Sequence, residues 1–453
     1  MITANSDPYK LTYDAVKDPP SGFFRKIKFL GPGFILTASI VGSGELIATT
    51  TLGAKAGFVA LWIILLSCVI KVAIQLEFGK NAICHGKTVM KTFNDLPGLR
   101  IRGTNWTIWM WFLLWIVKPL QVGGVLGGVA LTLNMWFPQI NIPVFTVFTA
   151  GSVAILVSGG YYKSIQQLSI IMMFLFTLFT LTSLYFLHFT PYAIHPGNIL
   201  EGLKFRFSPD AMAITIAAFG LTGVGGDEIV AYHYWCLEKG YARYTGPNDN
   251  SEEWRKRARG WIKIMYLDAF ISMVIYTIVT IAFYLLGASV LHNTQNIPEG
   301  YSMIESLSTM YTQSLGPWAK SYFMAGAIVV LYSTLFAALA AWTRIFSDIF
   351  GQLGWIRFND LAQRKRTITF LAWFFPALWT IMFLLVKLPV LMVTIGGTAT
   401  SIMLLIVVYV SLNYKYKQTV SNLKAGKLYN IIFIISASAI ALFALYSLYA
   451  VFL

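Results

Sequence analysis

The chain has 453 residues, 57% of them hydrophobic and 12% charged, with a mean hydropathy of +0.65. Soluble domains carry about 25% charged residues, so a soluble fold is excluded; this much apolar surface needs a bilayer. The net charge of +15 would suit nucleic acid, but the cations are distributed as membrane topology requires, and no nucleic-acid partner is expected.

Residues 1–29 contain Asp7, Asp14 and Asp18 and no apolar core, so they read as a cytoplasmic segment and not as a cleavable signal peptide. Eleven apolar runs follow, at 30–52, 58–78, 106–137, 143–157, 165–186, 212–234, 261–291, 322–346, 368–386, 390–412 and 428–451. Most have the roughly 17–25 residues that a helix needs to cross hydrocarbon. The expected fold class is an all-α integral membrane protein, one structural domain with the lipid bilayer as its partner. The third run is too long for a simple vertical helix, and Pro119 with Gly123, Gly124, Gly127 and Gly128 predicts a kink and close helix packing. The fourth run is short and is expected to extend into its flanks. Glu238–Gly260 reads as a mobile cytoplasmic loop and His292–Pro317 as an outer loop sparse in charge. Trp106, Trp109 and Trp111 read as interfacial anchors or lipid-facing side chains.

Orientation follows from Lys and Arg. With the N-terminus in the cytoplasm, 26 of the 34 basic residues fall in inside segments, and only Lys55, Lys204, Arg206, Lys320 and Lys387 fall outside. Eleven spans then leave the C-terminus outside the cell membrane. Cys68, Cys84 and Cys236 have neither metal-ligand spacing nor a framework of pairs.

The first run breaks at Gly42-Ser43-Gly44, and Glu45 follows at once. An ionisable group at that depth is costly and marks a functional site. The pattern returns in the sixth run. Gly42-Ser-Gly-Glu45-Leu-Ile-Ala48 is echoed by Gly225-Gly-Asp-Glu228-Ile-Val-Ala231. Five spans separate the two starts, so the halves, 30–186 and 212–412, point in opposite directions, with 428–451 as an added helix. Glycine-interrupted segments at corresponding places of opposed halves point to a transporter site near the bilayer midplane. Packing glycines are the plainer reading, but they leave Glu45, Asp227 and Glu228 without an account.

The stretch Gly31-Pro-Gly-Phe34, with Gly53-Ala-Lys-Ala-Gly57, Gly86-Lys-Thr88, Gly127…Asn134 and Asp268, resembles the Nramp family of proton-coupled divalent-metal transporters. That resemblance implies leucine-transporter-type architecture, with inverted five-helix repeats and broken helices 1 and 6. The family's first-helix signature Asp-Pro-Gly-Asn is replaced here by Gly42-Ser43-Gly44-Glu45, and its sixth-helix Met-Pro-His by Gly225-Gly226-Asp227-Glu228. The acidic pair of its third helix aligns near Gln121 and Gly124. An oxygen-only set, Glu45, Asp227 and Glu228 with the carbonyls of Gly42 and Gly225, would suit a hard divalent cation such as Mg²⁺ or Mn²⁺. The alternative is a Na⁺- or H⁺-coupled carrier of a small organic solute, with metal transport lost. No resident cofactor is expected. No catalytic constellation is present either, so an enzyme is not expected.

Other polar groups carry two readings each. Lys118 either pairs with an acid of the site or snorkels to the interface; Lys71 is expected to snorkel. Asp268 reads as a loop-facing cap or gate contact. His233 either takes part in gating and proton movement, as the family implies, or lines an aqueous vestibule. Tyr332, Ser333 and Thr334, and the strip Thr394, Thr398, Thr400 and Ser401, could serve a coupling ion by analogy with the fold.

Overall fold

The computed structural model describes residues 7–206, 212–292, 316–418 and 426–452, with the single positions 305, 308, 312 and 423. Most of the segment after His292, expected to be an outer loop, and the Ser43 side chain lie outside the described residues.

Ten described helices are long and apolar enough to cross a membrane. They run Pro32–Ala56, Leu61–His85, Trp106–Trp136, Tyr162–Leu187, Ile214–Lys239, Glu252–Leu291, Trp318–Gln352, Leu361–Val386, Pro389–Gln418 and Lys427–Tyr449. The short fourth span is Ile142–Ser158, which completes the eleven expected. Among the described residues the sole sheet is a hairpin, Arg100–Ile101 on Thr104–Asn105. The first and sixth spans are the innermost: their apolar stretches are 100% and 94% buried, against 39% for the fifth and ninth and 33% for the last. The interrupted helices thus sit at the centre and the regular ones form the lipid-facing ring.

The kink in the third span falls where proline predicts it. One helix ends at Trp115 and the next starts at Lys118, with Pro119 in its first turn, where the missing N–H costs nothing. Beyond it, the bare faces of Gly123 and Gly124 meet the backbone carbonyls of Trp379 and Pro389, so the third span lies directly against the ninth and tenth.

Two expectations fail here. Glu238–Gly260 is not a loose loop. It folds as a short helix, Tyr241–Thr245, and then the seventh span begins early, at Glu252, with the Ser251 hydroxyl accepting the Trp254 N–H at 3.1 Å. Three contacts pin it: Tyr241 OH to Phe29 O (2.8 Å), Trp254 Nε1 to Gly246 O (3.1 Å) and Trp261 Nε1 to Lys17 O (2.9 Å). Trp111 is fully buried and meets Phe93 edge-on, so it is core and not a lipid anchor. Periodicity could not show this in a helix that is apolar on every side.

The start of the first span shows why its sequence is Gly31-Pro-Gly-Phe34. Asp268 of the seventh span is wholly buried, and its two oxygens accept the N–H groups of Gly31 (2.7 Å) and Gly33 (2.6 Å). Proline at position 32 has no N–H to satisfy. A side chain on Gly33 would run into Asp268, since a Cβ would lie 2.9 Å from its Oδ2. Asp268 therefore caps the first span from another helix. It is a cap as expected, but an inward one, and it does not face the loop.

Candidate functional site

The two interruptions take different forms. In the sixth span, Met212–Leu221 stops, Thr222–Val224 bend away, and Gly226–Lys239 starts again after Gly225 in extended conformation. Gly223 has φ +63°, the left-handed region that favours glycine, and a Cβ there would lie 2.8 Å from Cys68 Cα. In the first span the backbone does not unwind. Val41–Thr49 widens into π-helix, whose bonds reach one residue further than α. The Thr49 and Thr50 hydroxyls follow that register, donating to the carbonyls of Gly44 (2.7 Å) and Glu45 (3.2 Å), each five residues back. The interruption expected at Gly42–Gly44 is thus present as a wide turn, with the Gly44 and Glu45 carbonyls occupied.

The eighth span holds the near edge of that turn. Thr334 Oγ1 accepts the Gly42 N–H (2.8 Å) and donates to Ser39 O (2.8 Å), while Ser333 Oγ lies 3.1 Å from Ala38 O. Tyr332 turns away and donates to Ser152 of the fourth span.

Lys71 corrects the sequence reading most. Placed near the cytoplasmic end of the second span, it was expected to snorkel. It is fully buried, and its ammonium donates to the carbonyls of Phe219 and Thr222, the latter at 2.9 Å. Ser67 Oγ lies 3.1 and 3.0 Å from the same two carbonyls and shares its one proton between them. The second span therefore caps the severed end of the sixth span. A positive charge at a helix C-terminus is where the helix dipole favours it. The signal was available: Lys71 is an ionisable group inside an apolar run, the same rule that singled out Glu45.

On the other side of the break, Asp227 and Glu228 occupy the first turn of Gly226–Lys239, at its positive end. Lys118, buried, places its ammonium 3.1 Å from Asp227 Oδ1, 2.7 Å from Gln121 Oε1 and 2.7 Å from Thr400 Oγ1. That uses all three of its protons. The pairing reading of Lys118 holds, and the tenth-span strip contributes Thr400. Thr394 and Thr398 bond their own helix, and Ser401 donates to Ile216 O. The Glu228 carboxylate folds back over Gly225, which has room for it only as glycine. Ser39, Asp227, Glu228, Ala231, Ala338 and Trp342 line a crevice of about 10 Å³, space for about one water.

Glu45 makes its contacts elsewhere. Its Oε1 accepts from Thr280 Oγ1 of the seventh span at 2.7 Å, and the Gly223 N–H also faces its carboxylate. Its Oε2 is buried with no hydrogen-bond partner among the described residues. His233 lines no vestibule: it is fully buried, edge-on to Phe78, with Nε2 2.8 Å from the Lys87 carbonyl. The structure thus gathers Asp227, Glu228, Lys118 and Gln121, sets Glu45 beside the break on its Lys71 side, and leaves His233 and Asp268 out of both. Among the described residues no three His, Cys, Asp or Glu side chains form a group that could hold a metal. Sequence reasoning missed Lys71 and Thr280. Nothing local marks Thr280, since hydroxyls are common in membrane helices.

Comparison with known proteins bears on this arrangement. A model of the family described as natural resistance-associated macrophage protein-like (Nramp) matches residues 33–450. A divalent metal cation transporter, MntH, of Mesorhizobium japonicum is 24% identical over 331 residues, covering 71% of this chain and 68% of its own. An uncharacterised protein of Pasteurella multocida is 22% identical over 74% of this chain and 73% of its own. Among solved structures, a manganese transporter of Eremococcus coleocola superposes with a TM-score of 0.69 at 15% identity, covering 97% of this chain and 90% of its own. MhsT, in complex with L-phenylalanine, gives 0.55 at 14% identity, over 94% of this chain and 100% of its own. These likenesses show the fold: leucine-transporter-type inverted repeats with interrupted first and sixth helices.

Proposed function

The chain belongs to the Nramp family of membrane transporters, and from that premise we propose that it is a secondary active transporter of a hard divalent cation, Mg²⁺ or Mn²⁺, working by alternating access. The observation that carries the reading is the acidic pair Asp227 and Glu228 at the positive end of the sixth span's second half, beside a crevice with Ser39 and no sulfur or imidazole ligand. Oxygen donors suit hard cations. Glu45 Oε2, buried and unsatisfied, is a further oxygen that an ion could take up. Gly42 and Gly225 carbonyls would complete the set after the first span moves.

The crevice admits about one water, so cargo enters only when the halves 30–186 and 212–412 rock apart. The termini lie inside and outside the cell respectively, as the Lys and Arg distribution requires. Coupling runs through H⁺ or Na⁺, with Ser333 and Thr334 beside the Ala38 and Ser39 carbonyls as the Na⁺ candidates.

A second reading has its own support. Lys118 neutralises Asp227 and has all three protons engaged, which leaves Glu228 as the carboxylate at the crevice that no cation pairs among the described residues. A single carboxylate suits a small organic cation, carried by Na⁺ or H⁺. Calorimetry on the purified full chain with Mg²⁺, Mn²⁺, Ca²⁺ and Zn²⁺ separates the two. The expected result is binding heat with Mg²⁺ or Mn²⁺ that is lost in Glu228→Gln and weakened in Glu45→Gln. No heat with any metal replaces the cation reading by the solute reading. Uptake into liposomes with and without a pH gradient then tests proton coupling.

A further inference from the structure

Away from the central crevice, at the face assigned above to the cytoplasm, a cavity of about 710 Å³ opens between the N-terminal segment, the turn after the fourth span, the end of the sixth, the eighth, and the start of the ninth. Its lining carries seven Lys and Arg side chains and one acid, Glu238. The acids nearby are already committed. Arg344 Nε lies 3.0 Å from Glu238 Oε1, which also accepts from Tyr9 OH at 2.5 Å. Asp7, close by, is held by Arg364 at 2.7 Å.

That leaves Lys28, Lys163, Lys239 and Lys365 around the cavity with no carboxylate at ion-pair distance among the described residues, the buried Asp268 acting on Lys239 only from further off. Lys239 donates to two neutral acceptors, Leu30 O (2.7 Å) and Gln166 Oε1 (3.0 Å). The general enrichment of cations on cytoplasmic loops accounts for their number. It does not account for four segments, distant in sequence, turning theirs onto one cavity. Like charges converging on a partly enclosed space repel one another until an anion sits among them.

We propose that this cavity binds a phosphate-bearing anion, either a soluble phosphate or the headgroup of an anionic lipid at the bilayer surface. The four lysines supply the point charges that hold it. An anion held there ties the N-terminal segment to the fifth, sixth and ninth spans, so its binding stabilises the arrangement seen here.

The test uses the purified full chain in neutral detergent and requires no transport, so it stands or falls independently of the cargo reading. Inorganic phosphate, soluble short-chain phosphatidylglycerol and soluble short-chain phosphatidylcholine are titrated by calorimetry. Lys163 and Lys365 are exposed and outside every ion pair among the described residues, so the double variant Lys163→Gln/Lys365→Gln keeps the fold; Lys320→Gln, in a segment assigned to the outer face, is the control. The expected result is binding of phosphate, phosphatidylglycerol or both, weakened about tenfold or more in the double variant and unchanged in the control, as the loss of about two surface charges implies. Phosphate binding assigns a soluble anion, and phosphatidylglycerol alone assigns a headgroup. Equal binding of phosphatidylcholine, no binding of either anion, or a double variant that matches the control overturns the proposal.

Discussion

The two interruptions share a sequence pattern, Gly-x-x-Glu with two aliphatics and Ala behind it, and the chain resolves them in opposite ways. At Val41–Thr49 the helix stays closed by widening, and hydroxyls from Thr49, Thr50 and Thr334 keep its polar groups paired. At Thr222–Gly225 the helix is cut, and its free carbonyls are met by Lys71 and Ser67. Inside a membrane a freed backbone group must find a partner. A neutral hydroxyl suffices for a wide turn, whereas a severed helix end with its negative dipole is better served by a cation. What each break becomes therefore depends on the neighbour it meets: the eighth span for one, the second span for the other.

This contrast can be broken at defined residues. The largest effect is expected on the charged side of the sixth-span break. Lys118→Met leaves Asp227 buried without its cation and should lower stability by about 3–5 kcal/mol, read as a lower unfolding midpoint in detergent. Adding Asp227→Asn should recover much of that loss; strictly additive losses would show that the pair is not coupled. Next, Lys71→Met strips the ammonium from two carbonyls and should cost about 2–3 kcal/mol. A neutral result would mean that Ser67 alone closes the helix end.

At the first break the effects should be smaller. Thr334→Val removes the acceptor of the Gly42 N–H and a donor to Ser39, with an expected loss of about 1–2 kcal/mol. Thr49→Val removes one hydroxyl bond to a carbonyl that the wide turn can still share, for about 0.5–1 kcal/mol. If the Thr334 or Thr49 variant proved worse than Lys71→Met, the first span would be the more fragile interruption and the contrast would be reversed.

Much of the fold was legible because it rests on local properties. Apolar runs of spanning length, the Pro119 kink and the recurrence of glycine beside glutamate can all be read without knowing what lies opposite. The site was legible in part. Asp227 and Glu228 stand together because they are adjacent in sequence, and Lys118 joined them as one of its two readings allowed. Glu45 shares their motif but not their neighbours, and it turns to Thr280, which is 235 residues away. His233 was read by its chemistry, but its one bonded nitrogen is engaged by a backbone carbonyl, which no residue type signals.

By itself, then, the sequence determined the membrane class, the eleven spans, the positions of both interruptions and the resemblance to Nramp proteins. Hydropathy and backbone freedom act residue by residue, which is why these were readable. Only the tertiary structure decided that one interruption is a π turn and the other a cut, that Lys71 is a cap 151 residues from the Thr222 carbonyl it serves, and that Asp268 holds the start of the first span. Each of these depends on which donor meets which freed backbone group, and in a membrane that partner comes from another helix.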